Sequence, residues 1–274
     1  MAITAQAPKQ KEWAEEGGHW YCAKTGDARY EIIGANGVKR GTTLRDARKH
    51  HLVPSVTTIA QIEAKPQLTR WLIEQAALAC ITLPKMPGEN ATDFMARAID
   101  DSKQQARAAA ARGSYLHGLM EETMRTGRVQ FNQESDIGYI QPVFDWLCVN
   151  FPGYTWNVER TIPPTLGYGG KVDLTGTHPT LPPVTIDYKC KDFDDPKKKL
   201  AYDEHCTQLA AYNRALYPEF YLNARTPRGL NIFISSTKPG LYIVHEWTKE
   251  DLHRGWLAFQ AMQALWTVRK KFDA

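Results

Sequence analysis

Cysteine is sparse in this chain and is not arranged as a metal framework or a disulfide framework requires. The five cysteines are odd in number, widely separated and never spaced as C-x-x-C (Cys22, Cys80, Cys148, Cys190 and Cys206). Structural zinc sites and disulfide scaffolds need clustered or paired cysteines, so the spacing argues against both. Buried free thiols are the expected state for most of the five.

Long apolar runs are missing too. No run approaches the roughly 20 apolar residues that a membrane-spanning helix needs. The first residues are polar, with Lys9, Lys11, Glu15 and Glu16 where a secretory signal would have an apolar h-region. The hydrophobic content of 43% is ordinary for a globular protein. We therefore expect a soluble, cytoplasmic protein with no membrane partner.

Internal repeats and low-complexity linkers are also absent, so the 274 residues are consistent with one domain. The formal charge of +4 suits a polyanionic partner without identifying one. The run Lys197-Lys198-Lys199 is more typical of a solvated loop than of a contact to phosphate, which is the alternative interpretation.

The periodicity of the apolar residues predicts a group of strands with helices before and after it. Strand-like residues 19–38 are divided by Gly26-Asp27 and Asn36-Gly37, and Ser55 or Thr57 would cap a helix after Pro54. Helices are predicted at about 92–124, with a break or a bend near Gly113, and at 135–149, 204–216 and 249–271. Strands are predicted at 155–163, 168–176 and 183–191, with a hairpin formed by 230–234 and 241–244. This order is typical of an α/β or α+β domain with a helical N-terminal part.

Chemistry-bearing residues concentrate on two of these strands. Residues 184–191 alternate, so the apolar side chains would face a core while Asp187 and Lys189 emerge side by side on the other face. In the preceding strand Val172 and Leu174 would share one face and Asp173 the other. A hairpin-like pairing of the strands would bring Asp173 close to Asp187, and two such acids need a divalent cation or a shared proton. A lysine beside a metal can position or deprotonate a water.

Gly169-Gly170 precedes the first acid, but no helix begins after it, so a nucleotide cradle is not expected. Three more features accompany the acids. His117 and Glu121 are four residues apart on the long helix, and so are Gln208 and Tyr212 on the helix that follows the lysine strand. Glu159 lies about one strand and turn before Asp173.

In this order the features resemble the RecB-like branch of the PD-(D/E)XK nuclease superfamily, over roughly residues 113–212. The motifs are Gly-x-x-x-His-x-x-x-Glu, then Glu, Gly-x-x-Asp, Ile-Asp-Tyr-Lys and Gln-x-x-x-Tyr. The segment Pro54 to Ile59 is similar to the one that precedes the core in phage and mitochondrial genome-maintenance exonucleases. The resemblance implies a restriction-endonuclease-like core, with a mixed central sheet flanked by helices. We expect residues 1–274 to form a single nuclease domain, which consists of a flexible tail (1–16), N-terminal strands and helices (17–112), and the nuclease core with the C-terminal helix (113–274).

The resemblance also implies roles for individual residues. It makes His117, Asp173 and Asp187 ligands of Mg²⁺ or Mn²⁺, and Lys189 the catalytic lysine. Gln208 and Tyr212 would support the site and contact DNA near the scissile phosphate. Glu121 and Glu159 would be either outer partners of the ligands or contacts to a DNA end. We further expect the backbone of DNA to be held by Arg112, Lys171, Lys191 and Tyr212.

Some relatives hold an iron–sulfur cluster with three cysteines after the Gln-x-x-x-Tyr helix. No cysteine follows Cys206, so no cluster is expected. The hypothesis is a metal-dependent DNA exonuclease acting on ends or single strands in replication, recombination or repair, with proteins of those processes as further partners. Two alternatives stay open: a DNA-binding module of the same fold with idle chemistry, and a metal-dependent hydrolase of another phosphate ester.

Overall fold

The computed structural model describes residues 18–64, 66–219 and 226–272, without the side chains of residues 66–68 and 105. The predicted tail over residues 1–16 lies outside the described residues. The strands are β1 (Trp20–Cys22), β2 (Glu31–Ile33), β3 (Lys39–Gly41), β4 (Leu52–Pro54), β5 (Thr155–Thr161), β6 (Lys171–Thr177), β7 (Val184–Lys191), β8 (Arg228–Ser235) and β9 (Tyr242–Trp247). The α-helices are α1 (Leu44–Lys49), α2 (Val56–Ala60), α3 (Pro66–Thr82), α4 (Ala91–Thr126), α5 (Ile137–Asn150), α6 (Asp203–Leu216) and α7 (Lys249–Lys270).

The centre of the fold is a mixed five-stranded sheet in the order β5-β6-β7-β8-β9. Neighbouring strands are antiparallel except β7 and β8, which run parallel because α6 returns the chain between them. The antiparallel pair β8–β9 is the predicted C-terminal hairpin, and it pairs Ile234 with Tyr242 next to the turn. The predicted mixed α/β architecture is thereby confirmed.

Helices cover both faces of this sheet. On one face the apolar side chains of β7 pack against α4 and α5, with Leu116, Ile140 and Ile186 fully buried. On the other face lie α6 and α7. Leu252, Phe259 and Trp266 of α7 are buried there, and Trp256 packs partly against them, so the aromatic side of the last helix belongs to the core.

The N-terminal part joins the sheet at the glycine pair that precedes β6. β1 pairs with β4, and Gly169 then bonds to the backbone of Pro54 and Val56, with Ser55 as the cap of α2. A Cβ at Gly169 would lie 2.5 Å from the Cβ of Tyr21, and one at Gly170 would lie 2.8 Å from the ring of Tyr212. Close packing of two tyrosines therefore explains both glycines, which is consistent with the expectation that they are not a nucleotide cradle.

The predicted break in the long helix is wrong. α4 runs without interruption from Ala91 to Thr126 through Gly113 and ends at Gly127, which has a φ of 67°. A glycine inside a helix costs roughly 1 kcal/mol relative to alanine, which neighbouring turns can offset, and Gly113 faces the Cβ of Cys190 across an ordinary contact of 3.5 Å. The predicted division between residues 112 and 113 lies inside α4, so this helix belongs both to the N-terminal part and to the predicted core. None of the helices in the described ranges combines the length and the apolar character that crossing a bilayer requires.

Candidate active site

The site forms where β6 separates from β7 and where its ladder with β5 is interrupted by one missing pair. The β6–β7 ladder ends at the pair Leu174–Ile186, and the β5–β6 ladder omits the pair between Glu159 and Asp173. Glu159 has a φ of 54°, a left-handed conformation that is uncommon for a residue with a side chain. Freed from the ladder, the carboxylate of Asp173 accepts a hydrogen bond of 2.8 Å from the backbone N–H of Tyr188.

This separation also interrupts the alternation along β6. Val172 packs with Tyr212 on the α6 side of the sheet, whereas Leu174 packs with Ile186 on the α4 side. The prediction that Val172 and Leu174 share a face is therefore wrong, because the pleat shifts at Asp173. In β7 the prediction is confirmed: Ile186 and Tyr188 face α4 and α5, while Asp187 and Lys189 face α6.

An imidazole and two carboxylates converge at this point. His117 Nε2 lies 3.2 Å from Asp173 Oδ2, so α4 contributes its histidine directly to the strand acid. His117, Glu159 and Asp173 each offer one ligand atom, and the three atoms lie within 4.8 Å of one another. His117 and Asp173 thus meet as predicted. The third member is Glu159, which the motifs left as an outer partner or a DNA-end contact, and not Asp187.

Asp187 is instead engaged by residues of its own sheet. Lys189 Nζ donates to Asp187 Oδ1 at 2.8 Å, and the side-chain amide of Asn231, in the neighbouring strand β8, donates to Asp187 Oδ2 at 2.8 Å. Asn231 is fully buried and accepts a hydrogen bond from Trp247 Nε1 at 2.8 Å. A lysine, an amide and an indole therefore fix this carboxylate in place.

Gln208 and Tyr212 continue the network on α6. Lys189 Nζ lies 3.2 Å from Gln208 Oε1, and Gln208 Nε2 donates to the hydroxyl of Tyr212 at 3.0 Å. Because residues four apart share a helix face, one turn of α6 supplies both links. Tyr212 is only 4% exposed and belongs to the core on the α6 side. Its hydroxyl holds Gln208, and contact of Tyr212 with DNA stays a prediction.

Electrostatic interactions keep His117 and Asp173 ionised. The negative charge of Asp173 is the main cause that raises the pKa of His117 to about 9, against an opposing effect of burial. Burial alone would raise the pKa of Asp173, but His117, Lys189 and the N–H of Tyr188 together hold it below its usual range. In the absence of a metal, His117 is therefore an imidazolium paired with a carboxylate at neutral pH.

Lys189 is also charged at neutral pH. Burial lowers its pKa, but Asp187 and Asp173 outweigh burial, and the net pKa is above its ordinary value. Burial raises the pKa of Asp187, and Lys189 limits that rise. An ammonium donates hydrogen bonds but cannot accept a proton. Of the two predicted roles for Lys189, positioning a water agrees with this state and deprotonating it does not.

Each acid at the site has its own cation. Lys171 forms an ion pair with Glu159, and Glu159 raises the pKa of Lys171 against the effect of burial. With the pairs His117–Asp173 and Lys189–Asp187, three positive groups face three negative ones. A divalent ion that replaced the proton of His117 would leave a net positive site, which is the charge that a phosphodiester needs.

The other predicted site residues lie around this centre and differ in their partners and in their exposure. Glu121 pairs with Arg125 one turn further along α4, at 2.5 Å. Arg112 lies 3.6 Å from Asp136 and packs over the rings of Tyr115 and Tyr139, so it anchors the start of α5. Lys191 is exposed at the end of β7. Contact of Arg112, Lys171 and Lys191 with DNA stays a prediction.

Two contributions were not visible in the motifs. Asn231 is one residue of an apolar strand, and only the parallel register that pairs it with Asp187 shows its role. The N-terminal part supplies the second: the hydroxyls of Tyr21 and Tyr30 lie 2.5 Å apart, and the Tyr21 ring packs on Gly169 just before Lys171. Residues of β1 and the segment after it therefore form a wall beside the acids. A single asparagine inside the apolar run 230–234 was the available sequence signal for Asn231.

The proton on His117 predicts a pH dependence of stability in metal-free protein. Its pKa rises from 6.5 to about 9 on folding, so the pairing with Asp173 contributes fully below pH 6.5 and is lost as the pH rises through about 9. We expect the urea midpoint in EDTA to fall over this interval. His117→Gln, which has no titrating group there, should show a smaller fall, and equal falls in both proteins would contradict the pairing.

Comparison with known proteins gives no information about the chemistry of this site. No protein-family model matches the chain, and no curated protein matches it. A solved structure described as "Crystal structure of SSO0001" is 14% identical, and the alignment covers 72% of this chain and 86% of that chain, with a TM-score of 0.29. A superposition this loose carries no argument about fold family or activity.

Proposed function

We propose that this protein is a divalent-metal-dependent deoxyribonuclease, and specifically an exonuclease. The observation that carries the proposal is the convergence of His117, Glu159 and Asp173 beside buried Asp187 and its partly buried partner Lys189. These groups come from α4 and three adjacent strands, and they meet where the strand ladder opens. The mixed sheet with helices on both faces suits a restriction-endonuclease-like core, which we propose as the fold family.

The donor set fits a magnesium or manganese ion. Glu159 and Asp173 offer carboxylate oxygens, which Mg²⁺ prefers, and His117 adds a nitrogen that Mn²⁺ accepts readily. When bound, such an ion supplies positive charge to the phosphate and lowers the pKa of a water. Among the described residues this group contains no cysteine, which agrees with hard-cation chemistry and not with a thiolate site.

The protein's own residues then orient the reaction. Lys189 keeps its proton, so it donates hydrogen bonds to a phosphate oxygen or to the attacking water. Gln208, held by Tyr212, fixes the position of the lysine nitrogen. Lys171, now paired with Glu159, becomes available to a phosphate when that carboxylate binds a cation. Hydrolysis forms a bond between the water oxygen and phosphorus and breaks the bond from phosphorus to the ester oxygen of the neighbouring nucleotide. The water loses a proton to solvent, and the released oxygen takes one up from solvent.

The substrate that we propose is DNA at an end or in a single strand, in replication, recombination or repair in the cytoplasm, with proteins of those processes as partners. Two alternative functions predict different experimental results. An idle DNA-binding module would bind DNA and not cleave it with any metal. A hydrolase of another phosphate ester would prefer mononucleotides, but no helix N-terminus follows Gly169-Gly170 to hold a terminal phosphate.

The test is digestion of 5′- and 3′-labelled single-stranded, blunt duplex and circular DNA with Mg²⁺, Mn²⁺ or EDTA, next to mononucleotides. We expect linear DNA to be degraded with either metal and to be preserved in EDTA, while circles resist. Cleaved circles would replace the exonuclease by an endonuclease. Intact DNA with every metal, together with binding of DNA, would establish the idle module, and hydrolysis of mononucleotides alone would establish the other hydrolase.

A further inference from the structure

One face of the short helix α1 carries three cations. Arg45, Arg48 and Lys49 stand at helical spacings of three and four, so their side chains project from the same side, and all three are exposed. The acid of this helix does not neutralise them. Asp46 is buried and forms an ion pair of 2.6 Å with Arg40 of β3, together with hydrogen bonds from Thr43.

The cationic face of α1 adjoins the end of α7. Arg48 Nη2 donates to the main-chain carbonyls of Lys270 and Lys271, the latter at 3.1 Å, so the end of α7 that carries Arg269, Lys270 and Lys271 lies beside α1. We call these six residues the α1–α7 basic surface. All three residues of α7 and its cap are exposed. Neither helix supplies a residue to the acidic site.

The basic surface lacks internal neutralisation. Within the described ranges, none of Arg45, Lys49, Arg269, Lys270 and Lys271 has its side chain in an ion pair with a carboxylate. Cations in the last turn of a helix are favoured by the helix dipole, which accounts for each helix by itself. The helix dipole does not explain why the cationic ends of α1 and α7 lie next to each other. Six like charges side by side repel one another, and a polyanion would relieve that repulsion.

A cavity of about 430 Å³ opens beside this surface, between β1, α1, α2 and the end of α7. Arg269 and Lys270 line it, with Trp20 and Trp266 among its apolar walls and Gln61 among its polar ones. Its volume lies in the range of sites that hold one small organic group. The Gln61 side chain is exposed and makes no hydrogen bond to other described residues, so its amide is available to the edge of a base.

We propose that the α1–α7 basic surface binds the phosphate backbone of a single-stranded segment of DNA, with one base of that segment in the adjoining cavity. A base in a duplex is paired and stacked, so only an unpaired base can enter such a cavity. The inference rests on the proposed function for the identity of the substrate. It adds a second contact, on elements that contribute no residue to the acidic site, which holds the strand outside the scissile bond.

The test compares two triple variants with the same change in charge. Lys49→Gln/Arg269→Gln/Lys270→Gln removes three of the six positive charges of the surface and leaves Lys271, which has a positive φ, unchanged. Lys24→Gln/Lys103→Gln/Lys238→Gln removes three exposed cations from other elements. Affinity for a labelled single-stranded oligonucleotide is measured in EDTA, so that cleavage does not interfere, over a series of salt concentrations. Blunt duplex DNA and phosphatidylserine vesicles serve as the other two probes.

We expect the surface variant to bind the single strand at least about tenfold more weakly than wild type. Its slope of log affinity against log salt should be smaller by about 2, since each single-strand phosphate contact contributes roughly 0.7. The dispersed variant should lose less than about threefold. Equal losses in both variants, a loss confined to duplex DNA or to vesicles, or no salt-dependent binding by wild type would each overturn the inference. Cleavage is scored separately: a wild type that binds but never cleaves refutes the proposed nuclease and leaves this surface standing.

Discussion

Asp173→Asn is expected to reduce metal-dependent DNA cleavage at least about 1000-fold, equivalent to roughly 4 kcal/mol of transition-state stabilisation. The amide oxygen of asparagine can still accept the hydrogen bond from Tyr188 N–H, so the strand geometry is retained. What disappears is the negative charge that faces His117 and, with Glu159, would bind the cation. Initial rates on labelled linear DNA with Mg²⁺ and with Mn²⁺ measure the loss.

A second readout separates this explanation from a folding defect. Asp173 is the main cause of the raised pKa of His117, so in Asp173→Asn that pKa should fall from about 9 towards its ordinary value of 6.5. An NMR titration of the His117 ring in metal-free protein shows this directly. Asp194→Asn, in the exposed loop after β7, is the matched control and should retain wild-type rates. A variant that cleaves at the wild-type rate while its His117 pKa has fallen would remove Asp173 from the mechanism.

Much of the fold could be predicted from sequence because its strands and helices follow simple burial patterns. In β7, apolar and polar residues alternate without interruption, so the faces of Ile186 and Asp187 were predicted correctly. α7 has its aromatic residues at helical spacing and a capping box at Thr248. Local propensity and the tertiary environment agree in these elements, which is the condition under which pattern reading succeeds.

The failures occur where tertiary contacts override the pattern. Gly113 does not break α4, because a long helix packed on a sheet tolerates one glycine. β6 reads as a regular alternating strand, yet its pleat shifts at Asp173, where Glu159 adopts a positive φ in the neighbouring strand. Backbone conformations of this kind persist only when the surrounding structure holds them, and they concentrate at functional sites. A sequence pattern contains no signal for such a conformation in a glutamate.

The sequence motifs predicted which residues lie at the site, but not which of them pair with one another. His117, Asp173, Asp187, Lys189, Gln208 and Tyr212 are all brought together in one network, but the distribution of roles differs from the one the motifs implied. Glu159 joins His117 and Asp173, while Asp187 is held by Lys189 and by Asn231. The pairing of Asn231 with Asp187 depends on the register of two parallel strands 44 residues apart, which no local motif encodes.

Asn231→Ala is expected to lower the free energy of unfolding by about 2–4 kcal/mol, because the buried Asp187 carboxylate loses one of its two side-chain donors and the partly buried Trp247 indole loses its acceptor. Asp187 Oδ2 loses its amide donor and Trp247 Nε1 loses its acceptor, both at 2.8 Å in the intact protein. Urea unfolding in EDTA measures the change in midpoint at constant slope. The control is Asn150→Ala, which removes one exposed amide contact to Trp146 at the end of α5 and should cost less than about 0.5 kcal/mol.

A double-mutant cycle with Asp187→Asn assigns the loss to the carboxylate. If Asn231 stabilises the protein by satisfying a buried charge, then removing that charge should shrink the cost of Asn231→Ala by at least about 1 kcal/mol, within the range found for residues in contact. An additive result would mean that Asn231 acts through packing or through Trp247 alone. The structure favours coupling, since Asp187 is 3% exposed and its remaining hydrogen bond comes from Lys189, which would then hold the carboxylate by itself.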